Sequence, residues 1–119
     1  LVAYDGSIPA MRAVQLFCTL QLRLDSEVMV VSVDRDAATA STLANTGANF
    51  LRDHGYTVVA QPVGADGDIT AAVIDAAKAC DAGMIVAGAY GHRGWREWLL
   101  GTTTERLLTA SHVPIFIHH

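Results

Sequence analysis

The chain predicts an α/β fold, a single domain built on a doubly wound five-stranded parallel sheet of order 3-2-1-4-5 with helices on both faces. Three observations carry this reading. Short apolar runs of strand length alternate with longer runs of helical period from one end to the other. The apolar runs are continuous rather than alternating, as in strands covered on both faces. The fourth run leads directly into a glycine-bearing segment, Gly88 to Thr104, and parallel α/β sheets hold their ligands at the carboxyl ends of such strands.

The first strand is Leu1 to Tyr4, ending at Asp5. Asp5-Gly6-Ser7 opens a helix, with Ser7 as N-cap and Pro9 in the first turn, where its missing N–H costs nothing. Met11, Val14, Phe17, Cys18 and Leu22 then recur at helical spacing to about Leu24. Glu27 to Val33 reads as the second strand, and Asp34 to Asp36 as its polar exit. A helix of low intrinsic propensity follows from about Ala37 to His54, its inward side Leu43, Gly47, Phe50 and Leu51, with Gly55 as a left-handed C-cap. Thr57 to Val63 is the third strand, and Pro62 within it removes a ladder donor, which suits a sheet edge. Asp68 caps a third helix through Ile69, Val73, Ala76, Ala77 and Cys80, closed by Asp81-Ala-Gly83. Met84 to Ala87 is the fourth strand, Thr102 to Ala110 a fourth helix and Val113 to Ile117 the fifth strand.

Composition excludes several function classes. At 119 residues the chain can bury about 65% of its unfolded surface. With 51% hydrophobic and 17% charged residues it is a globule rather than a disordered segment, and the low charge hints at oligomerisation. A net charge of -4, with Lys78 the sole lysine and no basic cluster, argues against nucleic acid. No window reaches the length of a membrane-spanning helix and nothing at the start resembles a secretion signal, so a cytoplasmic location with no membrane partner is expected. The chain does not begin with Met and Leu1 already lies in a strand, which fits a segment cut from a longer or tandem protein. Cys18 and Cys80 fall on helix faces, where a disulfide is not expected, and the five histidines show no zinc spacing. His118-His119 is assigned no function.

Chemistry concentrates in Gly88-Ala-Tyr-Gly91-His-Arg-Gly94-Trp-Arg-Glu-Trp-Leu-Leu-Gly101-Thr-Thr-Thr104. Backbone amides close around a phosphate only where no Cβ intervenes. The first turn of a helix adds unpartnered N–H groups and the positive end of the macrodipole. Gly101 followed by Thr102, Thr103 and Thr104 therefore reads as an anion seat; on its own it reads equally as a loop with a threonine N-cap. Trp95 and Trp98 are read as packing the loop rather than stacking on a base, and His92, Arg93 and Arg96 as either neutralising phosphate or simply solvated. The chain has no G-x-G-x-x-G after the first strand and no G-x-x-x-x-G-K-[ST], which disfavours dinucleotide dehydrogenases and P-loop proteins. No nucleophile with an adjacent base can be assembled, so no catalytic residue is assigned and no metal ligand is identified.

Gly88, Gly91, Gly101 and Thr102 together match glycine, two residues, glycine, nine residues, glycine, Ser or Thr. That spacing, with Leu1-Val-Ala-Tyr-Asp-Gly-Ser7 and Val113-Pro-Ile-Phe-Ile117, resembles the nucleotide-binding subgroup of the universal stress protein family along essentially the whole chain, residues 1–119. The resemblance implies an adenine nucleotide alpha hydrolase-like fold and an ATP or AMP ligand with Mg2+. It implies nucleotide contacts from Asp5, the Val33 backbone, Gly88, Gly91, Gly101, Thr102, Thr103 and Thr104. The competing reading of Asp5 is a turn-stabilising carboxylate that bonds its own following amides. Val113 to Ile117, at a sheet edge, is expected to pair with a second copy or a tandem domain, and Pro114 near its start leaves the later residues free to do so. The expected function is an adenine-nucleotide-binding regulatory protein of the stress response, acting as a dimer. The alternative is a dimeric domain of the same fold without nucleotide, serving as an interaction module. Slow ATP hydrolysis or autophosphorylation at Thr102 to Thr104 is a third reading. The Thr-Thr-Thr run departs from the Ser-Val-Ser type usual in the family, and Ala89-Tyr90 with Trp95 to Trp98 could narrow the pocket.

Overall fold

The computed structural model describes residues 1–23, 25–89 and 109–119. Its elements are β1 (Val2–Ala3), α1 (Ile8–Thr19), β2 (Glu27–Asp34), α2 (Ala37–Asp53), β3 (Thr57–Gly64), α3 (Ile69–Ala79), β4 (Ile85–Gly88) and β5 (Ile115–His118). Every strand pair is parallel and the order is β3-β2-β1-β4-β5, as the sequence predicts. Pro62 accordingly lies on an edge strand, β3, opposite Ser32. The run from Thr102 falls outside the described residues except for Thr109 and Ala110, which are helical.

Helices cover both faces. On one, Ala10, Ala13, Val14, Phe17 and Cys18 of α1 and Ala48 and Leu51 of α2 pack on Val2, Val28, Val30, Val58 and Val86. On the other, Val73, Ile74, Ala76 and Ala77 of α3 pack on Ala3, Val31, Val33, Ile85 and Ala87. Alternate residues of β1 and of β2 thus enter different cores, which is why their apolar runs are continuous.

The helix starts follow their sequence signals. Ser7, Asp36 and Asp68 cap the three helices, accepting from the amides of Ala10, Thr39 and Ala71. The ends differ more. The first helix stops at Thr19 rather than near Leu24, because Gln21 and Arg23 adopt left-handed backbone angles (φ 50° and 56°) that no continuing helix allows. Leu22 still packs against the core from the turn. The inward side of α2 is narrower than expected. It consists of Ala40, Ala44, Gly47, Ala48 and Leu51, with Leu43 and Phe50 half-buried. Small residues let this helix of poor propensity lie close on β2 and β3, so packing rather than propensity holds it. Gly55 (φ 90°) ends it as predicted. β1 is two residues long, shorter than Leu1 to Tyr4, although Tyr4 N–H still donates to Val31 O at 2.9 Å.

One contact fixes how the first crossover meets the sheet. A Cβ built on Gly88 would overlap Ala10 N and stand 2.5 Å from Pro9 C and 2.6 Å from Ala10 Cα. The first turn of α1 therefore rests on the bare backbone at the end of β4. Among the described residues no helix is long and apolar enough to cross a membrane.

Backbone atoms cannot yield as a flexible side chain does, so Gly88→Ala is expected to destabilise the protein by about 3 kcal/mol, at the upper end of overpacking costs. Gly67→Ala, where the added Cβ meets nothing within 4 Å, is expected to be neutral or slightly stabilising. Urea unfolding of the two variants beside the parent checks the contrast.

Candidate functional site

Parallel pairing brings three separated stretches to one level at the carboxyl end of the sheet. Ala3 is paired with Val31 on one side and Ala87 on the other. Continued for two residues, that register sets Asp5 level with Val33 of β2 and with Ala89, the residue after Gly88. Asp5, Val33 and Gly88, far apart in sequence, thus stand at the carboxyl ends of the adjacent strands β1, β2 and β4.

The turn that carries Asp5 is locally satisfied. Ser7 N–H donates to Asp5 Oδ1 at 3.0 Å, Ala10 N–H donates to Ser7 Oγ at 3.2 Å, and Met11 N–H donates to Ser7 O at 3.0 Å. Gly6 sits at φ 77°, and a side chain there would also meet Leu43 Cδ2 at 2.7 Å, so this turn admits only glycine without rearrangement. Asp5 therefore does perform the turn-stabilising task, with one oxygen. Its second oxygen, Oδ2, is buried and has no hydrogen-bond partner among the described residues. A carboxylate accepts through both oxygens, so this one retains an unused acceptor.

Tyr4, immediately before it, is held from two sides. Its carbonyl accepts from Ser32 Oγ at 2.6 Å, and its ring lies in the core beneath Gly47. Burial, and then the negative charge of Asp5, push the Tyr4 phenol above its ordinary value of 10.0. Ser32 is fully buried in a strand of valines; a hydroxyl in such a run must find an acceptor, and the Tyr4 carbonyl is it. Only that hydroxyl's presence among valines signalled the bond in sequence.

Val33 has its side chain buried on the α3 face, and the chain leaves β2 through a polar turn where Asp36 N–H donates to Asp34 Oδ1 at 2.8 Å and Ala65 N–H donates to Asp34 O at 3.2 Å. Hydrogen bonds from Thr39, side chain first and then backbone, hold the Asp36 carboxyl below its ordinary range. Gly88 is paired with His118, and Ala89 N–H donates to His118 O at 2.7 Å. Gly88 has a packing requirement that the sequence reading missed: it admits the first turn of α1, whatever else passes over it. Gly91, Gly101, Thr102, Thr103 and Thr104, with His92, Arg93, Trp95, Arg96 and Trp98, lie outside the described residues.

Among the described residues three buried side-chain polar atoms lack a hydrogen-bond partner: Asp5 Oδ2, Thr70 Oγ1 and His118 Nδ1. All three belong to the carboxyl end of the sheet, at the exit of β1, in the first turn of α3 and at the last residue of β5. Thr70 and His118 were not among the candidates read from sequence. A cleft of about 220 Å3 opens at the opposite end, lined by Arg23, Glu27, Cys80, Asp81 and Gly83 among others, and none of the three atoms borders it. Unpartnered buried polar groups are rare in folded proteins, and their concentration at one end marks where a polar ligand would be received. Cys18 and Cys80 are free thiols, and among the described residues no three His, Cys, Asp or Glu side chains are grouped to hold a metal ion.

The model of the universal stress protein family matches residues 1–119. The chain belongs to that family. A universal stress protein, Slr1230, from Synechocystis is 24% identical over 97% of this chain, which spans 40% of that relative's length. A universal stress protein from Archaeoglobus fulgidus superposes with a TM-score of 0.75 at 16% identity, covering 99% of this chain and 96% of its own. A universal stress protein crystallised in complex with cAMP superposes with a TM-score of 0.72 at 18% identity, covering 99% and 94%. At these identities the solved structures establish the fold.

The burial of Tyr4 and the charge of Asp5 beside it have a spectroscopic consequence. The neutral phenol is favoured in the fold, so the stability it contributes is complete below the ordinary tyrosine range and is lost as pH rises through the raised value. Ultraviolet titration, read as the difference from Tyr4→Phe, is expected to show Tyr4 ionising late. In Asp5→Asn, with the negative charge removed, its midpoint is expected to fall.

Proposed function

We propose that this member of the universal stress protein family is an adenine-nucleotide-binding regulatory protein, receiving ATP or AMP in the crevice where β1 and β4 diverge. The observation that carries the reading is Asp5 Oδ2, a buried carboxylate oxygen without a partner, level with Val33 and beside the exit of β4. A ribose hydroxyl or an exocyclic amino group would supply the hydrogen it lacks. The three-glycine spacing Gly88, Gly91, Gly101 with Thr102 supports a phosphate seat in the segment that follows β4. The cAMP bound by one protein of the same fold is consistent with an adenine nucleotide.

In this reading Asp5 and the Val33 backbone receive the nucleoside, and Gly91, Gly101, Thr102, Thr103 and Thr104 surround the phosphates. Mg2+ arrives with the phosphates, as it commonly does, rather than at a cage of protein carboxylates. Nothing among the described residues pairs a nucleophile with a base, and the reading assigns regulation through binding, with no catalytic residue. The protein acts in the cytoplasm as a single-domain unit or as one of two tandem domains.

Pairing with a second copy, or with a tandem domain, uses the edge strand β5. Ile117 is 37% exposed there, and an apolar strand at a sheet edge gains hydrogen bonds and apolar burial by pairing. A dimeric interaction module with no resident nucleotide is the competing function.

Calorimetric titration with ATP, ADP, AMP and cAMP, with and without Mg2+, separates the two. Adenine nucleotides are expected to bind, Asp5→Asn to weaken them about 10- to 100-fold as a charge-assisted hydrogen bond is lost, and Gly101→Val to abolish binding. No heat with any nucleotide would leave the interaction module standing. Sedimentation of the same samples is expected to show a dimer, and a monomer at all concentrations would remove the edge-strand pairing.

A further inference from the structure

The first turn of α3 holds a second unpaired group that belongs to no part of the site as read from sequence. Thr70 is 2% exposed, and its Oγ1 is buried without a hydrogen-bond partner. Three other described threonines satisfy themselves within their helices. Thr19, Thr42 and Thr46 each donate to the carbonyl four residues earlier, at 2.8 to 3.0 Å. Thr70 is the second residue of its helix, so no helical carbonyl lies behind it. The N-cap gives no such relief as Thr39 receives from Asp36 at 2.6 Å.

Its place on the helix gives the hydroxyl a direction. Thr70, Val73 and Ala77 recur at helical spacing along the buried side of α3. Val73 packs in one core with Val31 and Val33. The helix runs back against the strands that it connects, so Thr70 stands one turn beyond Val73, at the carboxyl end where Val33 and Asp5 lie. An apolar side chain of the same shape would fill this position at no polar cost, yet a hydroxyl occupies it.

We infer that Thr70 is a specificity-determining contact to the base of the bound nucleotide, its Oγ1 hydrogen-bonding the edge of the adenine ring. This rests on the nucleotide reading of the crevice. Adjacent strands lie about 4.8 Å apart, so β2 is on the order of 10 Å from β4 across β1. A nucleotide whose phosphate lies over the segment after β4 spans β1 with its ribose beside Asp5 and brings its base to the end of β2. There Val33 supplies backbone groups, and Thr70 faces it from the helix above. A hydroxyl both donates and accepts, which suits an adenine edge carrying a ring nitrogen acceptor next to an amino donor.

The test is calorimetric titration with AMP of the parent, Thr70→Val and Thr70→Ser, with thermal melts of each. Valine keeps the shape and removes the hydroxyl. AMP affinity is expected to fall about tenfold in Thr70→Val and to stay within about twofold of the parent in Thr70→Ser. The unliganded Thr70→Val protein is expected to melt no lower than the parent, since a group buried without a partner has been removed. Binding of ribose 5-phosphate, which lacks the base, is expected to be the same in both variants. Parent-like AMP affinity in Thr70→Val would overturn the base contact and leave the crevice reading intact. Absence of AMP binding in the parent would overturn the crevice reading, and the base contact with it.

Discussion

The arrangement depends on one close contact, the first turn of α1 resting on the bare backbone of Gly88. It brings the amino end of the first helix against the exit of the fourth strand, although about two thirds of the chain separates the two. Because α1 follows β1 after only the turn at Asp5, the same contact fixes where that turn stands. Asp5 then stands at the carboxyl end of β1, with one oxygen engaged by Ser7 N–H and the other left over among the described residues. A larger residue at position 88 would push α1 outward and move the carboxylate with it. In this chain helix packing and site geometry are a single constraint.

Much of this was legible in the residues, for identifiable reasons. Parallel strands followed from the strict alternation of strand and helix, Pro62 suited the third strand to an edge, and the order 3-2-1-4-5 was the one the family resemblance also implied. Caps at Ser7 and Asp68 were readable because only a few side chains can satisfy the first amides of a helix, whereas Asp36, read only as part of the exit from β2, turns out to cap α2. What was not legible depended on tertiary contact. Gly88 read as a ligand glycine, and the structure adds that α1 needs it. The inward side of α2 read as Leu43, Gly47, Phe50 and Leu51; Gly47 and Leu51 are buried there, but close approach added Ala40, Ala44 and Ala48 and left Leu43 and Phe50 half-buried. The end of α1 was misplaced because Gln21 and Arg23 carry no sequence mark of a left-handed backbone. Of the expected site, Asp5, Val33 and Gly88 lie among the described residues, at the carboxyl ends of β1, β2 and β4. Thr70 escaped notice because a threonine in the first turn of a helix ordinarily signals nothing beyond a tolerable helix residue.

The remaining physical pattern is an imbalance between the two ends of the sheet. Within the body of the fold, polar groups are paired with care: Ser32 gives its hydrogen to Tyr4 O, Tyr56 donates to Leu22 O at 3.0 Å, and Arg52 reaches Val58 O at 2.9 Å. At the carboxyl end Asp5, Thr70 and His118 each retain an unpaired buried atom. Leaving such groups unpaired costs stability, on the order of 1 to 3 kcal/mol for each, and that cost is recovered when a ligand supplies the partners. The free protein is therefore expected to be least settled at that end of the sheet, where the proposed ligand would be received.

The most direct measurement is amide chemical-shift mapping during titration with AMP. The account predicts that the perturbed resonances include Asp5, Gly6, Val33, Thr70 and Gly88, at the carboxyl ends of the strands. Shifts confined to Arg23, Glu27, Asp81 and Gly83 at the opposite cleft would contradict it.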